Sequence, residues 1–419
     1  MADPAKLASF GLKKPISSIY LHLPFCFHKC HYCDFYSVVD TPNTTQPSGG
    51  DRQPAFTDAL IAEIRRRAEQ TDFQPRTIFV GGGTPTYLRP DLWTMLLDCL
   101  RDVGWLALPA QPTSVSHDPT AESAGLEFTV EANPETVTAE LMHQLAAGGV
   151  NRVSIGAQSF DRVSLKQLER WHDPDSVPRA MQMCRDAGIA NLSLDLIFAI
   201  PGQTLAMLER DLDALLALRP THLSTYGLTY EPNTPLTAKL RVGQVRRIDE
   251  DLERDMFELV LDKLEDAGFE HYEVSNWALR EVKREQSTAH RTQCAHNLAY
   301  WRNHDWLGLG PSAASHIQGH RWRNAPNLTR YLQDAPAPPI IDLEHLPPDQ
   351  SLGEQLMLGL RLREGLDADW LWNHPDLRDH QREAIEQAVA LGFLEQRDSR
   401  VRLTRRGLFV ADSVIAQVL

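Results

Sequence analysis

Three cysteines fall within eight residues in the stretch FCFHKCHYCDF (25–35): Cys26, Cys30 and Cys33, with His28 and His31 between them. Thiolates spaced this closely on a loop can wrap a cubane iron-sulfur cluster, which normally takes four of them. They could also join a histidine around zinc, but His28 or His31 would then have to bend back within its own loop. The cluster reading leaves one iron without a protein ligand, and an open iron can hold a small molecule. Cys99, Cys184 and Cys294 stand alone, and the first two lie on helical patterns, where a buried, unreactive thiol is expected.

Other residues with chemical potential sit at regular intervals further on. They are the glycine-rich GGGTPT (81–86), Glu131 and Asn133, Gln158, and Asp195. All but Asp195, which lies within the fifth run, fall at the end of or just after a short apolar run; the runs are 18–23, 76–80, 126–132, 151–157, 192–200 and 222–228. Between the runs lie amphipathic stretches at 56–70, 92–103, 138–149, 176–188 and 205–218, with apolar residues every three or four positions. Strands alternating with helices imply parallel pairing through right-handed crossovers. Six units predict an α/β fold, a partial (β/α)6 barrel related to the eight-fold TIM barrel. In such arrays the ligand site gathers at the carboxyl ends of the strands, where these residues are found.

The remaining chain divides by composition. Residues 1–16 read as an N-terminal tail and 17–245 as the barrel. Residues 246–334 read as an α+β extension with a helix near 251–268 and a short strand near 271–278. APAPPI (335–340) reads as a linker into a C-terminal module, 335–419, whose helix, turn, strand and helix suit a small winged-helix-like domain. That shape alone does not imply DNA binding. The stretches 41–54 and 108–125, rich in Pro, Ser, Thr and Gly, read as surface insertions.

With the cysteine loop after the first strand, the chain resembles the radical S-adenosylmethionine (radical SAM) superfamily. SIYLHLPFC, GGGTPT, EANPE, NRVSIGAQSF, LSLDLIFAIPGQT, LSTYGLTYEPNTPL, HYEVSNWA and HNLAYW together resemble its oxygen-independent coproporphyrinogen III oxidase family. The resemblance implies a 4Fe-4S cluster on Cys26, Cys30 and Cys33. Its open iron would chelate the amino and carboxylate groups of S-adenosylmethionine, whose sulfonium is cleaved by an electron from the cluster. It further implies that Tyr20, Tyr32, Gly82, Gly83, Thr84 and Glu131 contact that cofactor. Gln158, Arg170, Asp195 and Thr229 match positions that line a second S-adenosylmethionine site in the oxidases.

One position departs from the oxidase pattern. The oxidases carry another cysteine two residues after the third, and here that residue is Phe35. The ending CDF is similar to the sister group of HemW-like haem chaperones, as is His-Asn-x-x-Tyr-Trp at His296, Asn297, Tyr300 and Trp301. That likeness implies haem as cargo, with His296 as a candidate axial ligand and the aromatics against the porphyrin. An isolated histidine among aromatics is otherwise more often interior packing. The partners implied are haem, a haem-acceptor protein and an electron-donor protein.

Composition narrows the field further. The formal charge is 42 − 56 = −14, and the basic runs at Arg65–Arg67, Arg246 and Arg405 are short, so a nucleic-acid partner is not expected. No run reaches the ~20 apolar residues of a membrane span, and the first residues lack a secretory pattern. A cytoplasmic chain without stable membrane insertion or a disulfide framework is therefore expected.

Overall fold

The computed structural model describes residues 16–40, 51–70, 73–106, 125–280 and 292–419. The expected insertions at 41–54 and 108–125 and the tail at 1–16 fall almost wholly outside that range. Three fragments of them do not: Ile16 opens the first strand, residues 51–54 lead into a helix that begins at Gln53, and Gly125 is described.

Six parallel strands form the core: β1 (Ile16–Leu23), β2 (Phe73–Gly82), β3 (Glu127–Ala132), β4 (Arg152–Gln158), β5 (Asn191–Phe198) and β6 (His222–Gly227). They lie side by side in chain order, as the partial barrel requires. Helices α1 (Gln53–Gln70), α2 (Pro90–Asp102), α3 (Ala139–Ala147), α4 (Ser176–Asp186) and α5 (Leu205–Ala217) connect them. Their starts are set locally: the hydroxyls of Thr138 and Thr204 accept the amide hydrogens of Leu141 and Met207, satisfying donors that a helix leaves open.

The strands were legible as apolar runs, yet each alternates. Phe128 and Val130 in β3, Val153 and Ile155 in β4, and Leu192, Leu194 and Leu196 in β5 are fully buried and belong to the main hydrophobic core. The residues between them are polar: Glu127, Thr129 and Glu131; Arg152 and Ser154; Ser193 and Asp195. A strand points successive side chains to opposite faces, so the same six segments make a greasy outer face for the helices and a polar inner face. The outer face stabilises the fold, at about 1.5–3 kcal/mol for each large apolar side chain taken from water.

The extension does not form a separate layer. It supplies both flanks of the same sheet. Strand β6 pairs antiparallel with β8 (Asn276–Leu279), which pairs with β7 (Phe269–Glu273); the single strand expected near 271–278 is thus a hairpin. On the other side β1 pairs in parallel with β9 (Trp306–Leu309), followed by β10 (Ala314–Ile317), β11 (His320–Asn324) and β12 (Ile340–His345). Because β12 hydrogen-bonds to β11, residues 340–345 are part of this same sheet.

One buried network pins this flank to the barrel. The carboxylate of Glu63 on α1 accepts from Gly310 N at 2.9 Å, Asn324 Nδ2 at 2.9 Å and Tyr331 Oη at 2.7 Å. The C-terminal unit holds helices Pro348–Arg361, Asp379–Ala390 and Ala411–Gln417 around a three-stranded sheet (Leu366–Asp367, Arg400–Leu403, Leu394–Arg397). It also covers the outer side of β7: Val274 N donates to Arg361 O and Arg363 N to Tyr272 O.

Candidate functional site

The cysteine loop begins where β1 runs out. It is closed at its base by a short parallel pair, Phe25–Cys26 against Val38–Val39, with Val38 N donating to Pro24 O at 2.7 Å. Two outside contacts brace its middle: His31 N donates to Leu168 O, and Leu236 N donates to His31 O. The GGGTPT turn after β2 lies directly on the base, with Gly83 N on Leu23 O at 2.8 Å and Thr84 N on Phe25 O at 2.7 Å. This approach requires glycine. A Cβ on Gly83 would stand 2.6 Å from Phe25 O, and Gly82, at φ +110, would press 2.7 Å from the His22 ring.

All three thiols of the loop are free, and Cys26 and Cys30 are 9 % exposed. Two donors aim at sulfur. Thr84 Oγ1 donates to Cys26 Sγ at 3.6 Å, and Arg170 Nη1 to Cys30 Sγ at 3.5 Å. Donors directed at sulfur suit thiolates. Burial raises the Cys26 thiol and lifts Cys33 to about 11, so metal has to displace protons on binding. Among the described residues no three His, Cys, Asp or Glu side chains converge on a single metal ion, as a zinc site would need. A cube takes its thiolates on separate irons. The chemistry of this donor set therefore fits a 4Fe-4S cluster.

A polar floor lies beyond the loop. Glu131 accepts from Gly82 N at 3.2 Å, and burial, reinforced by the negative Asp195, pushes its carboxyl up to about 7. Asp195 accepts from Ser154 Oγ at 3.1 Å; burial raises it too, against hydrogen bonds from Ser224 and Ser154. Tyr20 Oη and His22 Nδ1 are 3.1 Å apart, and His22 Nε2 lies 2.8 Å from Tyr36 O. With His22 lowered to about 4 by burial, the ring is neutral: it donates to Tyr36 O and accepts from Tyr20. Glu131 and Asp195 lie near enough that the charge of Asp195 raises the Glu131 carboxyl. Tyr32 sits on the loop, half-buried; burial raises its hydroxyl and the Arg170 cation opposes that.

The residues expected at a second nucleotide site are only partly assembled. Gln158 and Arg170 converge on Gly156, and Arg170 Nη2 donates to Gly156 O at 2.7 Å. Asp195 is held by Ser154, while Thr229 is exposed on the chain past β6.

The expected haem ligand is buried. His296, on helix α6 (Ala295–Trp301), is 2 % exposed. Its Nδ1 lies 2.7 Å from Thr77 Oγ1 and its Nε2 2.9 Å from Tyr300 Oη, and the ring stacks on Phe79. Glu127 accepts the amide hydrogens of Ala295 and His296 at the helix start. Both ring nitrogens are thus engaged, and Tyr300 stands edge-on to the ring. Asn297 donates to Glu273 Oε1, and Trp301 lies under the Arg361 guanidinium. The motif docks the extension onto the barrel.

Sequence reasoning passed over the inner-face residues Glu127, Arg152 and His222, all brought inward by the barrel. The signal was present in NRVSIGA as a polar residue at every second position, hidden by reading the run as apolar throughout.

A six-stranded partial barrel with a cysteine loop after its first strand defines a radical SAM protein. The profile of the Radical SAM superfamily matches residues 20–215, and that of the HemN C-terminal domain matches 346–410. Proteins named heme chaperone HemW are similar along nearly the whole chain. The one from Lactococcus lactis subsp. lactis (strain IL1403) is 32 % identical over 97 % of this chain and 98 % of its own. The one from Mycobacterium tuberculosis (strain ATCC 25618 / H37Rv) is 34 % identical over 96 % and 94 %. The chain belongs to the HemW family. In fold it resembles the coproporphyrinogen III oxidase (HemN) from Escherichia coli, with a TM-score of 0.77 at 20 % identity, covering 100 % of this chain and 93 % of that one. Among the described residues no helix is long and apolar enough to cross a membrane.

Proposed function

We propose that this chain is a cytoplasmic haem chaperone of the radical SAM type, binding haem and passing it to an acceptor protein. The observation that carries the reading is near full-length similarity to proteins named heme chaperone HemW. Phe35, 63 % exposed where the oxidases have a cysteine, agrees with it.

Cys26, Cys30 and Cys33 would hold the 4Fe-4S cluster, with Tyr20, Tyr32, Gly82, Gly83, Thr84 and Glu131 toward S-adenosylmethionine. When bound, such a cluster supplies one electron at an open iron. The chain's own part is to keep the thiolates hydrogen-bonded, to present the Glu131 carboxylate beside the glycine turn, and to hold His22 neutral between Tyr20 and Tyr36.

The oxidase reading requires cations to hold the substrate's propionates. Arg170, the strand-end candidate for that task, spends two nitrogens on Cys30 and Gly156, which speaks against it. The test is anaerobic. Haem titrated into cluster-reconstituted protein should produce a saturable Soret band, and an unchanged spectrum removes the chaperone reading. Coproporphyrinogen III with reductant and S-adenosylmethionine should yield no protoporphyrinogen; formation at useful turnover establishes the oxidase instead.

A further inference from the structure

We infer that Arg170 is a positioning residue of the cluster, clamping the Cys30 thiolate and setting the cluster's reduction potential. The inference rests on the cluster reading above.

The backbone dictates where Arg170 points. A short helix, Arg162–Gln167, starts on Asp161, whose carboxylate accepts from Val163 N and Ser164 N. It ends in a two-bond turn, Glu169 N to Lys166 O and Arg170 N to Leu165 O, the Schellman arrangement. That turn puts Glu169 at φ 52, a left-handed conformation with a cost for a residue that is not glycine. Leu168 O, exposed by the same turn, receives the amide hydrogen of His31 from the cysteine loop. The helix end is thus tied to the loop, and the next side chain but one, Arg170, faces it.

The guanidinium then bridges two fixed points. Nη1 reaches Cys30 Sγ at 3.5 Å and Nη2 reaches Gly156 O at 2.7 Å, while Nε is buried without a partner. The strand end is shaped to receive it. Register shifts between Gly156 and Gln158, where Gln158 turns to φ 63, and a Cβ on Gly156 would stand 2.8 Å from Gln158 Nε2 and 3.1 Å from Arg170 Nη2. A planar fork that spans a carbonyl and a sulfur is a task for arginine and not for lysine. Hydrogen bonds and positive charge at a cluster sulfur favour the more negative, reduced cluster and so raise its potential.

The test uses the full chain, reconstituted anaerobically, with Arg170→Gln, Arg170→Lys and Gly156→Ala. Redox titration followed by EPR should give Arg170→Gln a lower midpoint than wild type at equal iron content. Arg170→Lys should fall between the two. Gly156→Ala keeps the cation but crowds it off its seat, and should lower the midpoint as well; it decides the matter if Arg170→Gln does not fold. An unchanged midpoint in variants with full clusters overturns the inference. Wild-type protein that forms no cluster overturns the cluster reading itself, and this inference with it.

Discussion

The carboxylate of Glu131 lies against the amide of Gly82, 3.2 Å from N to Oε2, joining the end of β3 to the glycine turn that seals the cysteine loop. A single hydrogen bond thus links the floor of the cofactor site to its rim. Any change in the charge of Glu131 is felt at the turn.

Glu131 gives the site a pH dependence. Its carboxyl is raised from 4.5 to about 7, so the folded chain holds its proton more tightly than the unfolded one. The group's contribution to stability is therefore full at low pH and is lost as pH rises from about 4.5 through 7. S-adenosylmethionine, bringing positive charge, favours the carboxylate. Its affinity should rise between about pH 6 and 8, and Glu131→Gln should flatten that profile and weaken binding about 10- to 100-fold at the upper end, a charged hydrogen bond being worth about 1.5–3 kcal/mol. Calorimetry across the pH range checks both; a flat wild-type profile refutes the assignment.

Replacing Cys26, Cys30 or Cys33 singly by Ala should remove the cluster, since two thiolates hold a cube poorly. Iron and sulfide content together with the visible absorption band report it. Cys99→Ala, in α2 and 2 % exposed, should leave both unchanged.

His296→Ala should act on the fold. It removes a packed ring from between Thr77, Tyr300 and Phe79, and a buried side chain of that size costs about 2–4 kcal/mol. The expected result is a lower unfolding midpoint with haem affinity of the folded protein unchanged. Loss of the Soret band at an undiminished midpoint makes His296 a haem ligand after all.

Glu63→Leu should loosen the flank that β9 to β12 add to the barrel. Three donors, on Gly310, Asn324 and Tyr331, lose their acceptor, at about 1–3 kcal/mol for each one left buried. Urea unfolding measures the loss. Glu63→Gln, which keeps an acceptor, should lose less.

The sequence was most readable where local pattern and local structure coincide. The apolar runs at 18–23 and 151–157 became β1 and β4, shifted by two residues or fewer, because each needs only its own alternation and a following amphipathic helix. The cysteine loop, GGGTPT and Glu131 came together because parallel topology forces strand ends to one rim. Contacts without a local signature stayed hidden. Nothing near Tyr20 announces that Gly308 pairs beside it, since the partner lies far along the chain and the pairing is tertiary. The aim of Arg170 depends on a turn at Glu169 that no glycine marks. His296 reads as a ligand in sequence, and only its burial shows its nitrogens already in use.

The split extension has a consequence for synthesis. The six core strands are complete once residue 227 has emerged from the ribosome, yet β1 and β6 then expose bare edges, open to pairing with other chains. One edge waits for residues 269–279, the other for 306–309. A nascent barrel is therefore a vulnerable intermediate, and a fragment ending near residue 245 should be recovered as aggregate.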